Sequence, residues 1–475
     1  MKKWSINWKM EENTQKPYVE IMKRYFRDLL CVGIILLISL AMASLVKTEI
    51  LLIGFLFIST IFFCVKRDSS TFNYFLIYTI FQNLFLILCA RGMTSRDTIL
   101  IILIKEFIVY FGVVFYFITI KKRSINFIEM ITIFFGIVSI INILFISASF
   151  KYSAISLRQI TIIFSCYYFG KILKIKSGEY RDLMNCILFW CIFVCVIGLG
   201  LYFFTSDKEW LSMGYGEYWA NKTGGASKNQ FTNFYSWDFG IKLKRMFSIF
   251  MDPLACSHFL SISLVLLVVS YKKVRWYLLP VVFVSVILGI SKASLVLAAV
   301  MIVMFIYLKI ENKRIKRIFI GSCIGVVAGI LVFLFYYTNN VSQPTAISNH
   351  ADSLFYGIRN MSLFGNGLGT SGYNATMMGL KNFDKAYNES FFALCVGQMG
   401  IFGVVPIYLF MGGISIKNFL IYQSTKNEFV LASVILVITT LIESFVSASS
   451  ISMLGTGLYF VIAGVCSNTV LSEEL

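Results

Sequence analysis

The sequence predicts an all-α polytopic integral membrane protein with about 12–14 transmembrane helices and two long extracytoplasmic loops. Three observations predict it. Apolar runs of about 20 residues, each able to cross a hydrocarbon core of about 30 Å, recur along nearly the whole chain. Only 14% of the 475 residues are charged, against about 25% in a soluble protein. Basic clusters fall in alternate inter-helix segments, the positive-inside pattern. The runs are continuously apolar rather than alternating, which disfavours a β-barrel.

Residues 1–28 form a basic tail, expected to be cytoplasmic and not a cleavable signal, because it is charged and the first apolar run passes directly into a second. N-terminal helices fill 29–204, with spans near 29–46, 50–65, 71–90, 98–120, 125–147, 154–173 and 183–204. A first long extracytoplasmic loop occupies 205–250. Central helices fill 251–337, near 253–270, 276–290, 293–309 and 318–337, and a second long loop covers 338–389. The segment 390–475 carries spans near 390–411, 428–447 and 451–467 and a short cytoplasmic tail. With the basic tail inside, both termini are cytoplasmic and both long loops face outward.

The net charge of +18 sits in clusters such as MKRYFR, KKR (121–123), YKKVR (271–275) and KIENKRIKR (309–317). That distribution reads as topology and attraction to anionic lipid, not as a nucleic-acid surface. All eleven Cys lie in or beside apolar runs without a CxxC pair, and two His cannot build a His-rich site. The expectation is therefore no disulfide framework, no metal and no cofactor.

Loops of this length are usually functional. The first is rich in Trp, Tyr, Gly and Asn, which suits either sugar stacking or an interfacial aromatic belt. The second holds FGNGLGTSG (364–372), with Gly365, Gly367 and Gly369. A dinucleotide fingerprint needs Gly where Thr370 stands, and a P-loop needs a Lys that is absent. On the outside there is also no soluble nucleotide pool. The glycines are expected to permit a tight backbone path that can present N–H groups to an anion.

Ionisable residues inside spans mark function by default. Lys105, Glu106, Arg158, His258, Lys292, Glu389 and Glu443 all fall in the outer half of this topology, with Lys105 about 10 Å below the outer boundary at 1.5 Å per residue. Glu129 alone is inner, near enough to its boundary to reach water. Singly, these groups have structural readings: a Lys105–Glu106 ion pair, a snorkelling Arg158, a Glu443 that serves helix packing. Together they point to a polar chamber open to the outer leaflet. Arg245, Lys292, Arg158 and Arg359 are its cations, and no acidic cluster suits Mg²⁺ or Ca²⁺. A lipid pyrophosphate fits that position and charge.

At residues 349–403 the order of motifs becomes specific. His350 precedes the G-x-G-x-G loop by 15 residues; Glu389-Ser390 and two apolar residues follow, then Gln398, Gly400 and Gly403 in QMGIFG. RMFSIFMDPLACSHF (245–259) and SKAS (291–294) stand upstream. This region, about a third of the chain, resembles bacterial polysaccharide polymerases of the Wzy type, in the O-antigen polymerase and ligase superfamily. The resemblance implies a fold similar to the O-antigen ligase (GT-C-like) and a metal-independent glycosyltransferase of the bacterial cytoplasmic membrane, its active site facing outward. Its implied donor and acceptor are undecaprenyl-diphosphate-linked oligosaccharides, with a chain-length regulator and a flippase as pathway partners. By position, Arg245 carries over as the diphosphate-binding arginine. The ligase-type His-Asn pair is replaced by Tyr387-Asn388 before Glu389, which favours polymerase over ligase. Lys292, Arg158, Arg359 and the three glycines join Arg245 as candidate substrate-binding residues. His350 or Glu389 is the candidate acceptor of the attacking hydroxyl's proton. A lipid-linked oligosaccharide flippase is the rival from a different class; no internal repeat of the transporter kind is visible.

Overall fold

The computed structural model describes residues 65–119, 125–147, 149–223, 234–238, 241–269, 278–291, 310–322, 346–371 and 389–468, with scattered residues between 27 and 62 and between 296 and 332. The basic tail, most of the spans expected at 29–46, 50–65, 293–309 and 318–337, Lys292 and residues 372–388 lie outside the described residues.

Where an apolar run is bracketed by good caps, the helix forms at the expected place. Helix α1 (Ser69–Cys89) starts at Asp68, whose carboxylate accepts from the N–H of Ser70 and Thr71. Helix α2 covers Ser95–Thr119, and α3 (Phe127–Phe145) opens with an Asn126–Glu129 capping box. Helices α4 (Phe150–Ile172) and α5 (Tyr180–Phe204) follow. After the first long loop come α8 (Pro253–Val269), α9 (Leu279–Leu288), α10 (Ala346–Arg359), α11 (Phe391–Thr425), α12 (Glu428–Val446) and α13 (Gly457–Cys466).

Six helical stretches among the described residues are long and apolar enough to cross a membrane: those built on α1, α2, α3, α5, α11 and α12. The run 154–173 forms α4 as expected, packed between α2 and α13. Two expectations are corrected. The runs 276–290 and 451–467 yield helices of 10 residues each, α9 and α13, about 15 Å long and half a bilayer core. The run expected to end at 411 continues to Thr425 as α11.

The centre of the bundle is the α4–α13 crossing. A Cβ on Gly170 would stand 2.1 Å from the carbonyl oxygen of Val461, and one on Gly464 would stand 2.0 Å from that of Tyr167. Two backbones in direct contact need glycine at both crossing points. Phe164 packs between Phe135, on which it stacks, and Phe410, to which it is tilted, with ring centroids at 4.8 and 4.2 Å.

At the Glu129 end of the bundle, the expectation that this carboxylate reaches water is corrected. Glu129 is 1% exposed. It accepts from Tyr116 Oη at 2.5 Å and lies 3.5 Å from Lys171 Nζ, which itself donates to the Tyr116 hydroxyl. Lys171, a second ionisable residue in this part of the bundle, was not anticipated.

The described residues of the first long loop are folded rather than open. It contains α6 (Asp207–Ser212), α7 (Tyr215–Thr223) and the antiparallel pair β1 (Tyr235–Asp238) and β2 (Ile241–Lys244), in register Tyr235 opposite Lys244. Trp210, Tyr215, Tyr218, Phe234 and Phe247 are buried in it, with Phe234 and Phe247 stacked at 4.0 Å. Those aromatic residues make a small core, so they are neither a sugar-stacking face nor an interfacial belt. Lys244 Nζ donates to the last carbonyls of α5, Tyr202 at 2.7 Å and Thr205 at 2.6 Å, fastening the hairpin to that helix end. Partial burial lowers the Lys244 pKa, with Asp207 and Glu209 opposing.

Candidate functional site

The two glycine motifs that carry the resemblance form one clasp. Helix α11 is broken at Gly400, with φ +64° and ψ −159°, a conformation open essentially to glycine alone. The stretch 362–371 lies across the break. Ile401 and Phe402 donate to the carbonyls of Ser362 and Leu363; in return, Asn366 and Gly367 donate to those of Gly397 and Gln398. A Cβ on Gly400 would meet the Leu363 carbonyl at 2.5 Å, and one on Gly365 would meet Gln398 backbone at 2.5 Å. Gly365, Gly367 and Gly369 have φ of 72°, 104° and 86°. Gln398 reaches from the broken helix, donating to Ser371 O at 2.8 Å and accepting from Gly369 N. Asn142 of α3 completes the junction, donating to the carbonyls of Phe364 and Gln398 and accepting from Leu368 N at 2.7 Å.

The N–H groups of residues 365–370 thus all donate to protein oxygens. The expectation that this loop offers amides to an anion is corrected: its glycines serve the tight path and the close approach to α11. Asn142 was missed, although an Asn inside the apolar run 125–147 was a visible signal.

The paired candidates His350 and Glu389 come together. His350 Nδ1 lies 3.0 Å from the Glu389 carbonyl oxygen and 3.5 Å from its Oε2. Both partners are acceptors, so neutral His350 carries its proton on Nδ1 and keeps Nε2 as the basic nitrogen. Glu389 does not open α11; Ser390 is the N-cap, and the Glu389 backbone bridges Ser353 Oγ and Ala448 N. Arg359, in the last turn of α10, is exposed and stands about 13 Å along the helix from His350.

A second focus is a cavity of about 340 Å³ between α2, α4, α7 and the start of α8. Its polar lining is Lys105, Glu106, Arg158, Lys222, Asp252 and Ser452, with Gln159; the rest is Ile, Leu, Ala and Met. Arg158 Nε pairs with Glu106 Oε2 at 3.3 Å, so Arg158 does not simply snorkel. Asp252 caps α8, accepting from Leu254 and Ala255 N–H, with Pro253 in the first turn as expected. Lys105 is 2% exposed. Among the described residues it has no carboxylate within ion-pair distance, so the direct Lys105–Glu106 pair is not formed.

Arg245 is not in that cavity. Its Nε and Nη2 donate to the carbonyls of Gly289 and Ile290 at 3.1 and 3.2 Å, at the end of α9 and directly before the SKAS segment. His258 and Glu443, each 2% exposed, face each other at 3.5 Å between α8 and α12. Gly455 lies against the His258 ring, and Tyr459 Oη donates to its carbonyl.

One short connection ties these places together. Ala448 holds Glu389, Ile451 to Leu454 line the cavity, and Gly455 touches His258. The three residue steps from Ala448 to Ile451 span at most about 11 Å. Sequence reading left only 448–450 between two spans and took 451–456 into the second; the density of Ser, Thr and Gly across SASSISMLGT (447–456) marked the whole stretch as structured loop.

The fold and its polar interior define a mostly helical polytopic membrane protein. No protein-family model matches the chain, and no curated protein matches it in sequence.

Proposed function

We propose that this protein is a membrane glycosyltransferase that polymerises undecaprenyl-diphosphate-linked oligosaccharide repeat units at the outer face of the bacterial cytoplasmic membrane. The observation that carries this reading is the His350–Glu389 pair, joined through Ala448 to the wall of a polar cavity. The motif order over residues 245–403 supports the same reading. In the proposed reaction, a hydroxyl of one repeat unit attacks the anomeric carbon of another. The new C–O bond forms as the bond to the diphosphate breaks, and the lipid diphosphate leaves with the bonding electrons. His350 Nε2 takes the hydroxyl proton while Glu389 holds the ring through Nδ1–H. Arg245, with Lys292 following in SKAS, would meet the charge that develops on the diphosphate.

The test is electrophoresis of surface polysaccharide from a strain lacking only this gene, with and without complementation. Loss of long polymer while a single repeat unit still reaches the outside is the expected result. Repeat units trapped on cytoplasmic lipid would mean a flippase, and full polymer retained on its lipid carrier would mean a ligase.

A further inference from the structure

Both carboxylates lining the cavity have partners of their own. Glu106 is paired with Arg158 at 3.3 Å, and Asp252 is engaged by the first N–H groups of α8. Among the described residues the lining carries three cations, Lys105, Arg158 and Lys222, and two carboxylates, Glu106 and Asp252. The deepest cation is Lys105, 2% exposed and lining the cavity. A buried ammonium without a carboxylate is costly, and a single anionic group on a ligand would match it.

The remainder of the lining narrows the ligand. Glu106 Oε2 faces Arg158 Nε, which leaves Oε1 as the carboxylate oxygen able to accept from a ligand hydroxyl. Asp252, Gln159 and Ser452 add further groups suited to hydroxyls. We infer that this cavity binds an acidic saccharide, one whose sugar hydroxyls meet Glu106 and its neighbours while a single carboxylate or phosphodiester group meets Lys105. The inference rests on the proposed reading only for its biological setting: it makes the repeat unit an acidic glycan.

Binding to the purified full-length protein in detergent tests it without any turnover. Methyl β-glucuronide, methyl β-glucoside and inorganic phosphate are titrated by calorimetry, with methyl glucoside 6-methylphosphate as the phosphodiester arm. One or both acidic sugars should bind at least about tenfold more tightly than the neutral glucoside, and inorganic phosphate alone should bind weakly. Whichever acidic sugar is preferred identifies the anionic group. Lys105→Met should erase the preference, and Lys105→Arg should retain most of it. Glu106→Gln removes a wall carboxylate and should tighten the acidic sugar about threefold or more, independently of whether Lys105→Met folds. Equal binding of acidic and neutral sugars, no binding of either acidic sugar, phosphate binding as tightly as the sugars, or a Glu106→Gln variant that weakens the acidic sugar would each overturn the inference. Such failure leaves polymerisation standing, and a deletion strain with normal polymer would leave this binding result standing.

Discussion

Replacing Gly400 with Ala should undock the loop 362–371 from α11. The added Cβ would stand 2.5 Å from the Leu363 carbonyl, about 1 Å inside ordinary contact, and that neighbour is backbone that cannot swing aside. The φ of +64° with ψ of −159° adds about 1–3 kcal/mol of strain for any residue with a side chain. If 362–363 shifts, the bonds from Ile401 N at 2.9 Å and Phe402 N at 3.1 Å are lost, at about 0.5–1.5 kcal/mol each. Together these give about 2–6 kcal/mol against docking, or roughly 30-fold to 10⁴-fold in the opening equilibrium. Hydrogen exchange of the amides of Gly365, Asn366, Gly367 and Leu368, followed by mass spectrometry in detergent, reads that equilibrium directly. Gly412→Ala in the same helix is the control, because a Cβ there meets nothing within 4 Å. Exchange in Gly400→Ala equal to wild type and to Gly412→Ala would refute the clasp.

Three further outcomes are expected. His350→Gln should lower chain extension about 10²–10⁴-fold with normal accumulation of protein, and Glu389→Gln should lower it less; unchanged polymer length from His350→Gln would remove the base. Lys171→Met leaves Glu129 buried beside one lost partner and should cost about 3–5 kcal/mol, partly recovered by Glu129→Gln in the same chain; thermal unfolding in detergent checks both, and an unchanged midpoint for the single variant would contradict the buried pair. Chain extension should persist in EDTA, and loss restored by one specific divalent cation would contradict metal-independent transfer.

What the sequence made legible was hydropathy and local capping. The runs 71–90, 98–120 and 125–147 became helices within a few residues of their expected ends, since a long apolar run and caps such as Asp68 and Asn126 are local signals. Hydropathy could not separate 451–456 from the helix that follows, because Ile451, Met453 and Leu454 are as apolar as a span but form a turn against His258 and the cavity. Nor could it show that Glu129 is neutralised by a lysine 42 positions away. Of the charges chosen for lying inside spans, Lys105, Glu106 and Arg158 share one cavity, and His258 meets Glu443. The glycines were assigned a tight path for a sound reason, φ above zero, but the close neighbours of Gly365 in the broken turn of α11 and of Gly367 at Ile146–Ser147 are revealed only by the tertiary structure. Arg245 was picked by its place in a motif, and its fork ends on the Gly289 and Ile290 carbonyls, beside the SKAS segment that the same motif order had singled out.

The central claim is glycosyl transfer from a lipid diphosphate, and its most direct test is reconstitution. The purified protein in liposomes, given undecaprenyl-diphosphate-linked repeat units and no other protein, should convert them to a ladder of longer chains while releasing one undecaprenyl diphosphate per unit joined. Movement of intact repeat units across the vesicle membrane without any ladder would contradict the account.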